Sequence, residues 1–225
     1  MSNPILSAKN IIKTYSQGGE TLQVLKGASL EVGKGEMVGL IGPSGSGKSS
    51  FLHILGLLDN HNGGSILING QECSNLTDEK RTKIRSSELG FIYQFHHLIA
   101  GFTALENVTI PLRIQGIAAK EAKEEAFLLL KSLGLESRIN HLTSQLSGGE
   151  QQRVAIARAI VTGPSLILAD EPTGNLDPAN AALVFDLLVK IVKNYNLSAL
   201  IVTHNMDLAK NLDKVYAIEN GEIVE

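Results

Sequence analysis

The chain has 225 residues, of which 43% are hydrophobic and 19% are charged, and its formal net charge at pH 7 is −3. This length suits one large α/β domain or a domain with an insert, and the absence of a dense Lys/Arg block argues against nucleic acid as the main partner. Cys73 is the only cysteine, which excludes an internal disulfide and suits a reducing cytoplasm. The chain lacks a signal-peptide pattern at its start and any apolar run near the roughly 20 residues of a membrane span. We therefore expect a soluble chain without direct membrane insertion.

The first predicted elements are strands. Ile5 to Lys13 and Leu22 to Val32 are joined by a turn at Gly18-Gly19, and Met37 to Ile41 is a short apolar run typical of a buried parallel strand. Tyr15 lies just before the turn. A lone tyrosine is usually a packing residue, although an aromatic ring can also stack on a base. The position by itself favours packing.

A glycine-rich loop follows the third strand. Gly42 to Ser49 reads GPSGSGKS and fits the P-loop pattern G-x-x-x-x-G-K-S/T, and Ser49 to Leu58 has helical spacing. In such a loop the backbone N–H groups and the helix N-terminus bind phosphate, the lysine reaches the β- and γ-phosphates, and the serine hydroxyl binds Mg²⁺. The residues expected to hold the nucleotide are Gly42, Pro43, Ser44, Gly45, Ser46, Gly47, Lys48, Ser49 and Ser50.

The middle of the chain changes from strands to helices. Ser65 to Asn69 and Leu89 to Tyr93 read as strands, with a polar helix from Asp78 to Ser87 between them, and Gln94 follows the second strand directly. From Phe95 to about Thr162 we predict an inserted helical subdomain. Its helices are Thr103 to Ile110, Lys120 to Leu133 and Glu150 to Thr162.

Strands and helices alternate again toward the end of the chain. The predicted elements are a strand from Ser165 to Ala169, a helix from Asn180 to Tyr195, a strand from Ser198 to Thr203, a short helix from Met206 to Leu212 and a hairpin from Val215 to Val224.

Polar residues stand where two of these strands end. Asp170 and Glu171 follow Leu166 to Ala169, and His204 follows the strand that ends at Thr203. Parallel strands end near the ligand crevice, so Asp170 is expected to approach Mg²⁺ and Glu171 to orient or deprotonate the attacking water. His204 either contacts the γ-phosphate or is an ordinary surface residue, and periodicity leaves both readings open.

The chain contains the sequence LSGGEQQ at Leu146 to Gln152, in addition to the P-loop and Asp170-Glu171. With these motifs it resembles the ATP-binding subunits of ABC transporters over essentially its whole length. The resemblance implies the binding of ATP and Mg²⁺ and a head-to-tail dimer of two copies. Roles carried over by position are adenine stacking for Tyr15, contact with Mg²⁺ and water for Gln94, catalytic base for Glu171, the γ-phosphate switch for His204, and completion of the partner's phosphate site by Ser147, Gly148 and Gly149.

Two stretches are similar to the lipoprotein-releasing ATPases of Gram-negative bacteria: Tyr93 to Leu98, YQFHHL, and Phe102 to Val108, FTALENV. Ile99-Ala100 and Ser50 depart from that pattern. The resemblance implies integral membrane transporter subunits as partners and a peripheral location on the cytoplasmic side of the inner membrane. It also implies one ABC ATPase domain over residues 1–225. Residues 1–94 and 163–225 then form an α/β core with an antiparallel β subdomain, and residues 95–162 form the helical subdomain. Related alternatives are a macrolide or peptide exporter and a cell-division complex that transports nothing.

Overall fold

The computed structural model describes residues 3–224, apart from the side chain of Gln17. The strands are β1 (Leu6–Gln17), β2 (Glu20–Val32), β3 (Met37–Ile41), β4 (Gly63–Ile68), β5 (Gln71–Glu72), β6 (Leu89–Tyr93), β7 (Leu166–Asp170), β8 (Ser198–Val202), β9 (Lys214–Glu219) and β10 (Glu222–Val224). The helices are α1 (Lys48–Leu55), α2 (Asp78–Glu88), α3 (Ala104–Ile114), α4 (Ala119–Ser132), α5 (Gly148–Ile160), α6 (Pro178–Asn194) and α7 (Met206–Ala209), with short 3-10 turns at Glu136–Arg138 and Thr143–Gln145.

A mainly parallel sheet forms the centre of the molecule. Its strand order is β10-β9-β3-β8-β7-β6, and only β10 runs antiparallel to its neighbour. The register aligns Tyr93, Asp170, Val202 and Leu40 across neighbouring strands. The segments that follow these strands therefore leave the sheet at the same edge.

The second sheet is antiparallel, with the order β2-β1-β4-β5. Gly18 and Gly19 form the β1–β2 turn with φ of 60° and 87°, a left-handed conformation that favours glycine. Helix α1 lies between the two sheets, and Phe51 and Leu52 share one buried cluster with residues of both. The predicted fold class, an α/β P-loop core with an antiparallel subdomain and inserted helices, is confirmed by this arrangement.

The opposite face of the parallel sheet is covered by helices. Alternate residues of β7 point to opposite faces of the parallel sheet. Leu166 and Leu168 pack toward α1, whereas Ile167 and Ala169 pack in a second cluster with α3, α4, α5 and α6. Burial on both faces explains why the central strands read as continuous apolar runs rather than as alternating patterns.

Several predicted boundaries were wrong by a few residues. Helix α1 ends at Leu55 instead of Leu58, because Gly56 caps it and Leu57 adopts a left-handed φ of 56°. Helix α3 runs through Pro111 to Ile114 instead of ending at Ile110, since Leu112 is buried one turn after the buried Val108. No helix of residues 3–224 is long and apolar enough to cross a membrane.

One close backbone approach fixes α5 against the sheet. A Cβ atom added to Gly90 of β6 would lie 2.3 Å from the carbonyl oxygen of Ala159 in α5. At Gly63 the nearest atom to an added Cβ is the side-chain Cδ1 of Ile12, at 3.3 Å.

We expect Gly90→Ala to lower the free energy of unfolding by about 1–3 kcal/mol, because the backbone of α5 must shift to admit the methyl group. Gly63→Ala is the matched control and should cost less, since a flexible side chain can move aside. Urea denaturation of both variants measures the difference. Equal stabilities of Gly90→Ala and the wild type would contradict this packing argument.

Candidate active site

A cleft of about 510 Å³ opens at the edge where the parallel strands end. It is lined by Val24, Ser44, Gly45, Gly47, Lys48, Ser49, Ser50, Gln94, Asp170, Glu171 and His204. The strands β3, β6, β7 and β8 thus bring residues from distant parts of the chain together, as the strand-end argument predicts. Val24, which forms part of the wall, was missed because strand alternation alone does not mark a cleft residue.

The loop before α1 depends on glycine at two tight positions. Gly42 has φ of 154°, and an added Cβ would lie 2.6 Å from the carbonyl oxygen of Ile218. Gly47 has φ of 102°, and its added Cβ would lie 3.1 Å from the side chains of Val24 and Leu25. The loop is therefore held between β2 and β9, in a conformation that side chains at these two positions would disturb.

Lys48 occupies the first position of α1 and is only 9% exposed. Its Nζ donates hydrogen bonds to the carbonyl oxygens of Gly42 (2.8 Å) and Pro43 (2.7 Å). An ammonium group has three donors, so one is left for a phosphate oxygen. The loop itself holds this positive charge at the helix N-terminus, where an anion is favoured.

Asp170 ends β7 with a buried oxygen that has no protein partner. Among the side chains of residues 3–224, its Oδ1 finds no hydrogen bond. Burial raises the pKa of Asp170, and this shift is partly offset by the hydrogen bond from the Ser49 hydroxyl and by electrostatic interactions with His53 and Lys48. A buried carboxylate oxygen without a partner is costly, and a cation would satisfy it.

The donor set around this oxygen suits Mg²⁺. Asp170 and the hydroxyl of Ser49 supply hard oxygen ligands, and Mg²⁺ typically takes one or two carboxylates and completes its shell with water and phosphate. Nowhere in the described chain do three His, Cys, Asp or Glu side chains converge as a metal cage. The two oxygen ligands therefore fit a metal ion that shares its coordination shell with water and phosphate.

Glu171 turns into the cleft through an unusual backbone conformation. Its φ is 47°, and its N–H donates to the carbonyl oxygen of Val202 at 2.9 Å. Its Oε1 lies 2.9 Å from Nδ1 of His204, whose side chain is 71% exposed whereas that of Glu171 is 16% exposed. The pair joins the ends of β7 and β8, and a carboxylate fixed in this way can act as a general base.

Gln94 and Asn175 form a reciprocal pair at the other side of the cleft. Nε2 of Gln94 donates to Oδ1 of Asn175 at 3.1 Å, and Nδ2 of Asn175 donates to the carbonyl oxygen of Gln94 at 2.9 Å. Gly174 packs against the Gln94 side chain, where an added Cβ would lie 2.9 Å from Nε2. No periodicity marks Asn175, so its contact with Gln94 could not be found from spacing.

The LSGGEQQ residues lie outside this cleft. Ser147 and Gly149 line a second cavity, of about 440 Å³, between α5 and α6. Ser147 caps α5, since its hydroxyl accepts from the backbone N–H of Glu150 while the Glu150 carboxylate accepts from the Ser147 N–H. The backbone hydrogen bond from Ser147 and the ion pair with Arg138 lower the pKa of Glu150 to about 2. A single chain thus presents the α5 N-terminus away from its own P-loop.

Tyr15 also lies outside the set of cleft-lining residues. It is 41% exposed and pairs with Leu22 across the β1–β2 hairpin. Val24, two residues further along β2, lines the cleft. Tyr15 therefore stands at the rim of the cleft rather than in its wall.

Comparisons with known proteins agree with this geometry. The family model described as ABC transporter matches residues 25–174. The lipoprotein-releasing system ATP-binding protein LolD 2 of Caulobacter vibrioides is 51% identical over 99% of this chain and 98% of its own length. LolD of Hyphomonas neptunium is 48% identical over 100% of this chain and 99% of its own length. A bacterial ABC transporter cassette solved as a dimer superimposes with a TM-score of 0.90 at 39% identity, covering 98% of this chain and 97% of that one.

The raised pKa of Asp170 predicts a pH-dependent cost to stability. The folded protein holds the carboxyl proton of Asp170 more tightly than the unfolded chain does. Stability is therefore lost as the pH rises from the ordinary pKa of 3.8 through the raised pKa of the folded state. At pH values above the folded pKa, we expect Asp170→Asn to have a higher melting temperature than the wild type, because the amide carries no buried charge.

Thermal unfolding with EDTA and without nucleotide measures this effect across a pH series. The exposed Asp186 provides the control variant Asp186→Asn, which should leave the pH dependence unchanged. A lower melting temperature of Asp170→Asn at neutral pH would contradict the argument from burial.

Proposed function

Because this chain belongs to the ABC transporter family and is an ATPase of that family, we propose that it powers the release of lipoproteins from the bacterial inner membrane toward the outer membrane. The observation that carries the proposal is the convergence of Lys48, Asp170 and the Glu171–His204 pair in one cleft. The assignment of lipoproteins as cargo rests on the full-length similarity to LolD proteins.

Hydrolysis then follows from the side chains around the γ-phosphate. The loop N–H groups and Lys48 hold the phosphates, and Glu171 accepts a proton from the water that attacks the γ-phosphorus. The bond from that phosphorus to the bridging oxygen breaks, which leaves ADP and inorganic phosphate. His204 orients the Glu171 carboxylate and would contact the γ-phosphate. Mg²⁺, held by Ser49, Asp170 and Gln94, would neutralise charge on the phosphates.

Full activity in this proposal requires a second copy of the chain in head-to-tail orientation. Ser147, Gly148 and Gly149 of one copy would place the positive end of α5 on the γ-phosphate bound by the other. Two observations support this arrangement: Ser147 and Gly149 line a cavity separate from the P-loop cleft, and related cassettes were solved as dimers. Tyr15, at the rim of the cleft, would stack on the adenine.

Coupling to transport requires integral membrane subunits that dock on the cytoplasmic side. The segment from Gln94 to the end of α3 carries several large, solvent-exposed apolar side chains, which are Phe95, Ile99, Phe102 and Ile114. Such a concentration of exposed apolar residues is typical of an interaction surface. Its position next to Gln94 would let the membrane subunits respond to the nucleotide.

We expect Glu171→Gln to bind ATP but to hydrolyse it at least about 100-fold more slowly, because a general base typically contributes 10²–10⁴-fold. The slow variant should accumulate as an ATP-bound dimer, which light scattering coupled to size exclusion detects. Lys48→Ala is the control and should fail to dimerise, since phosphate binding is lost. A Glu171→Gln protein that turns over normally, or remains monomeric with ATP, would contradict the base or the dimer respectively.

A separate experiment tests partner and cargo. Affinity purification from detergent-solubilised native membranes should recover integral membrane subunits together with lipoproteins, identified by mass spectrometry. Ile114→Glu should lose these proteins yet keep the ATPase activity of the isolated chain, because Ile114 is 73% exposed and outside the cleft. Leu128→Glu on α4, 64% exposed, is the matched control and should retain them. Recovery of membrane subunits with a different cargo would contradict lipoprotein release.

A further inference from the structure

The segment that follows α1 is docked onto the end of β1 by buried cations. Lys13 is 7% exposed, and its Nζ donates to Oδ1 of Asp59 (2.8 Å) and to the carbonyl oxygen of Asn60 (2.7 Å). Arg81 of α2 is 8% exposed and donates to Oδ1 of Asn60 (2.7 Å) and to the carbonyl oxygen of Asp59 (2.8 Å). A buried cation is costly unless its donors are satisfied. Lys13 is paired with the Asp59 carboxylate and Arg81 donates to two neutral oxygens, so both cations hold this segment in place.

The same network restrains the Tyr15 ring at two points. The hydroxyl of Tyr15 donates to Oδ2 of Asp59 at 2.9 Å, and Nζ of Lys13 lies 4.6 Å from the ring centroid. Burial acts to raise the pKa of Asp59, but the hydrogen bonds from Lys13 and Tyr15 outweigh it and hold the pKa below its usual value. Asp59 therefore accepts both bonds as a carboxylate at neutral pH.

The Tyr15 ring lies at the surface of the molecule. Nζ of Lys13 lies over one face of the ring, and the residue remains 41% exposed, which leaves room for a ligand beside the ring. Because its hydroxyl is already bonded to Asp59, Tyr15 can offer a ligand the π-face but no uncommitted hydroxyl proton. A flat face at the rim of a phosphate-binding cleft suits the stacking of a nucleobase.

We propose that Asp59 is a positioning residue for the nucleotide base: with Lys13 it holds the Tyr15 ring in place for stacking before the nucleotide arrives. This inference rests on the proposed function, in which Tyr15 contacts adenine. Asp59 touches neither phosphate nor base and acts through Tyr15 alone. A ring that is already ordered avoids the entropy cost of being immobilised on binding.

Calorimetric titration with ADP and with inorganic pyrophosphate, both with Mg²⁺, separates base binding from phosphate binding. Asp59→Ala and Tyr15→Phe should each weaken ADP binding about 3- to 10-fold, the range expected for ordering one side chain. The double variant should lose no more than either single one, because both changes break the same hydrogen bond. Pyrophosphate binding should not change. Glu136→Ala, which breaks the exposed Lys131–Glu136 pair, is the control and should bind both ligands normally.

Several results would overturn the inference. Additive losses of ADP affinity in the double variant would mean that Asp59 acts independently of Tyr15. An equal loss of pyrophosphate affinity in Asp59→Ala would mean that Asp59 acts through α1. If Asp59→Ala fails to fold, Tyr15→Phe decides by itself, because this exposed hydroxyl can be removed without stranding Lys13. Unchanged ADP affinity of Tyr15→Phe would then reject the proposal.

The wild-type protein distinguishes this inference from the proposed function. If ADP and pyrophosphate bind the wild-type protein with equal free energy, the base is not contacted. This result would overturn the positioning role and leave the ATPase proposal intact. Binding of neither ligand would overturn the proposed nucleotide site itself.

Discussion

The parallel register of the central sheet is the constraint on which the active site depends. Tyr93, Asp170, Val202 and Leu40 lie side by side, so the groups that follow each strand emerge at one edge. Parallel strands need crossover connections, and the helices in these crossovers cover both faces of the sheet. The same burial that stabilises the core therefore sets the distance between side chains that are more than a hundred residues apart in the chain.

Burial also sets the chemistry at this edge. Asp170 ends a strand whose other residues are fully buried, and its Oδ1 has no partner among the described side chains. Glu171, one residue later, leaves the strand with a left-handed φ and reaches His204. Two adjacent carboxylates thus acquire different surroundings: one is desolvated and suited to a cation, the other is oriented by an imidazole and suited to a proton transfer.

Apolar packing joins the two sheets around the phosphate loop, and buried cations fix the segment that follows α1. The core cluster containing α1 joins the antiparallel sheet to the parallel one, and Lys13 and Arg81 fix the segment after α1 by ion pairing and hydrogen bonds. In consequence the phosphate loop and the Tyr15 ring belong to one packed unit. The N-terminus of helix α5, in contrast, faces a different cavity. In the proposed dimer, a second copy would therefore use a surface other than the P-loop cleft to complete the site.

The sequence by itself determined the fold class, the P-loop, the strand-end residues Gln94, Asp170, Glu171 and His204, and the family resemblance, because each depends on local spacing or on a contiguous motif. It did not determine where α1 and α3 end, since a left-handed Leu57 and the burial of Leu112 decide those boundaries. The contact of Gln94 with Asn175, the role of Val24 and the link from Asp59 to Tyr15 were also decided by the tertiary structure. These contacts join residues that are far apart in the chain, and no periodicity or motif encodes a distance between such residues.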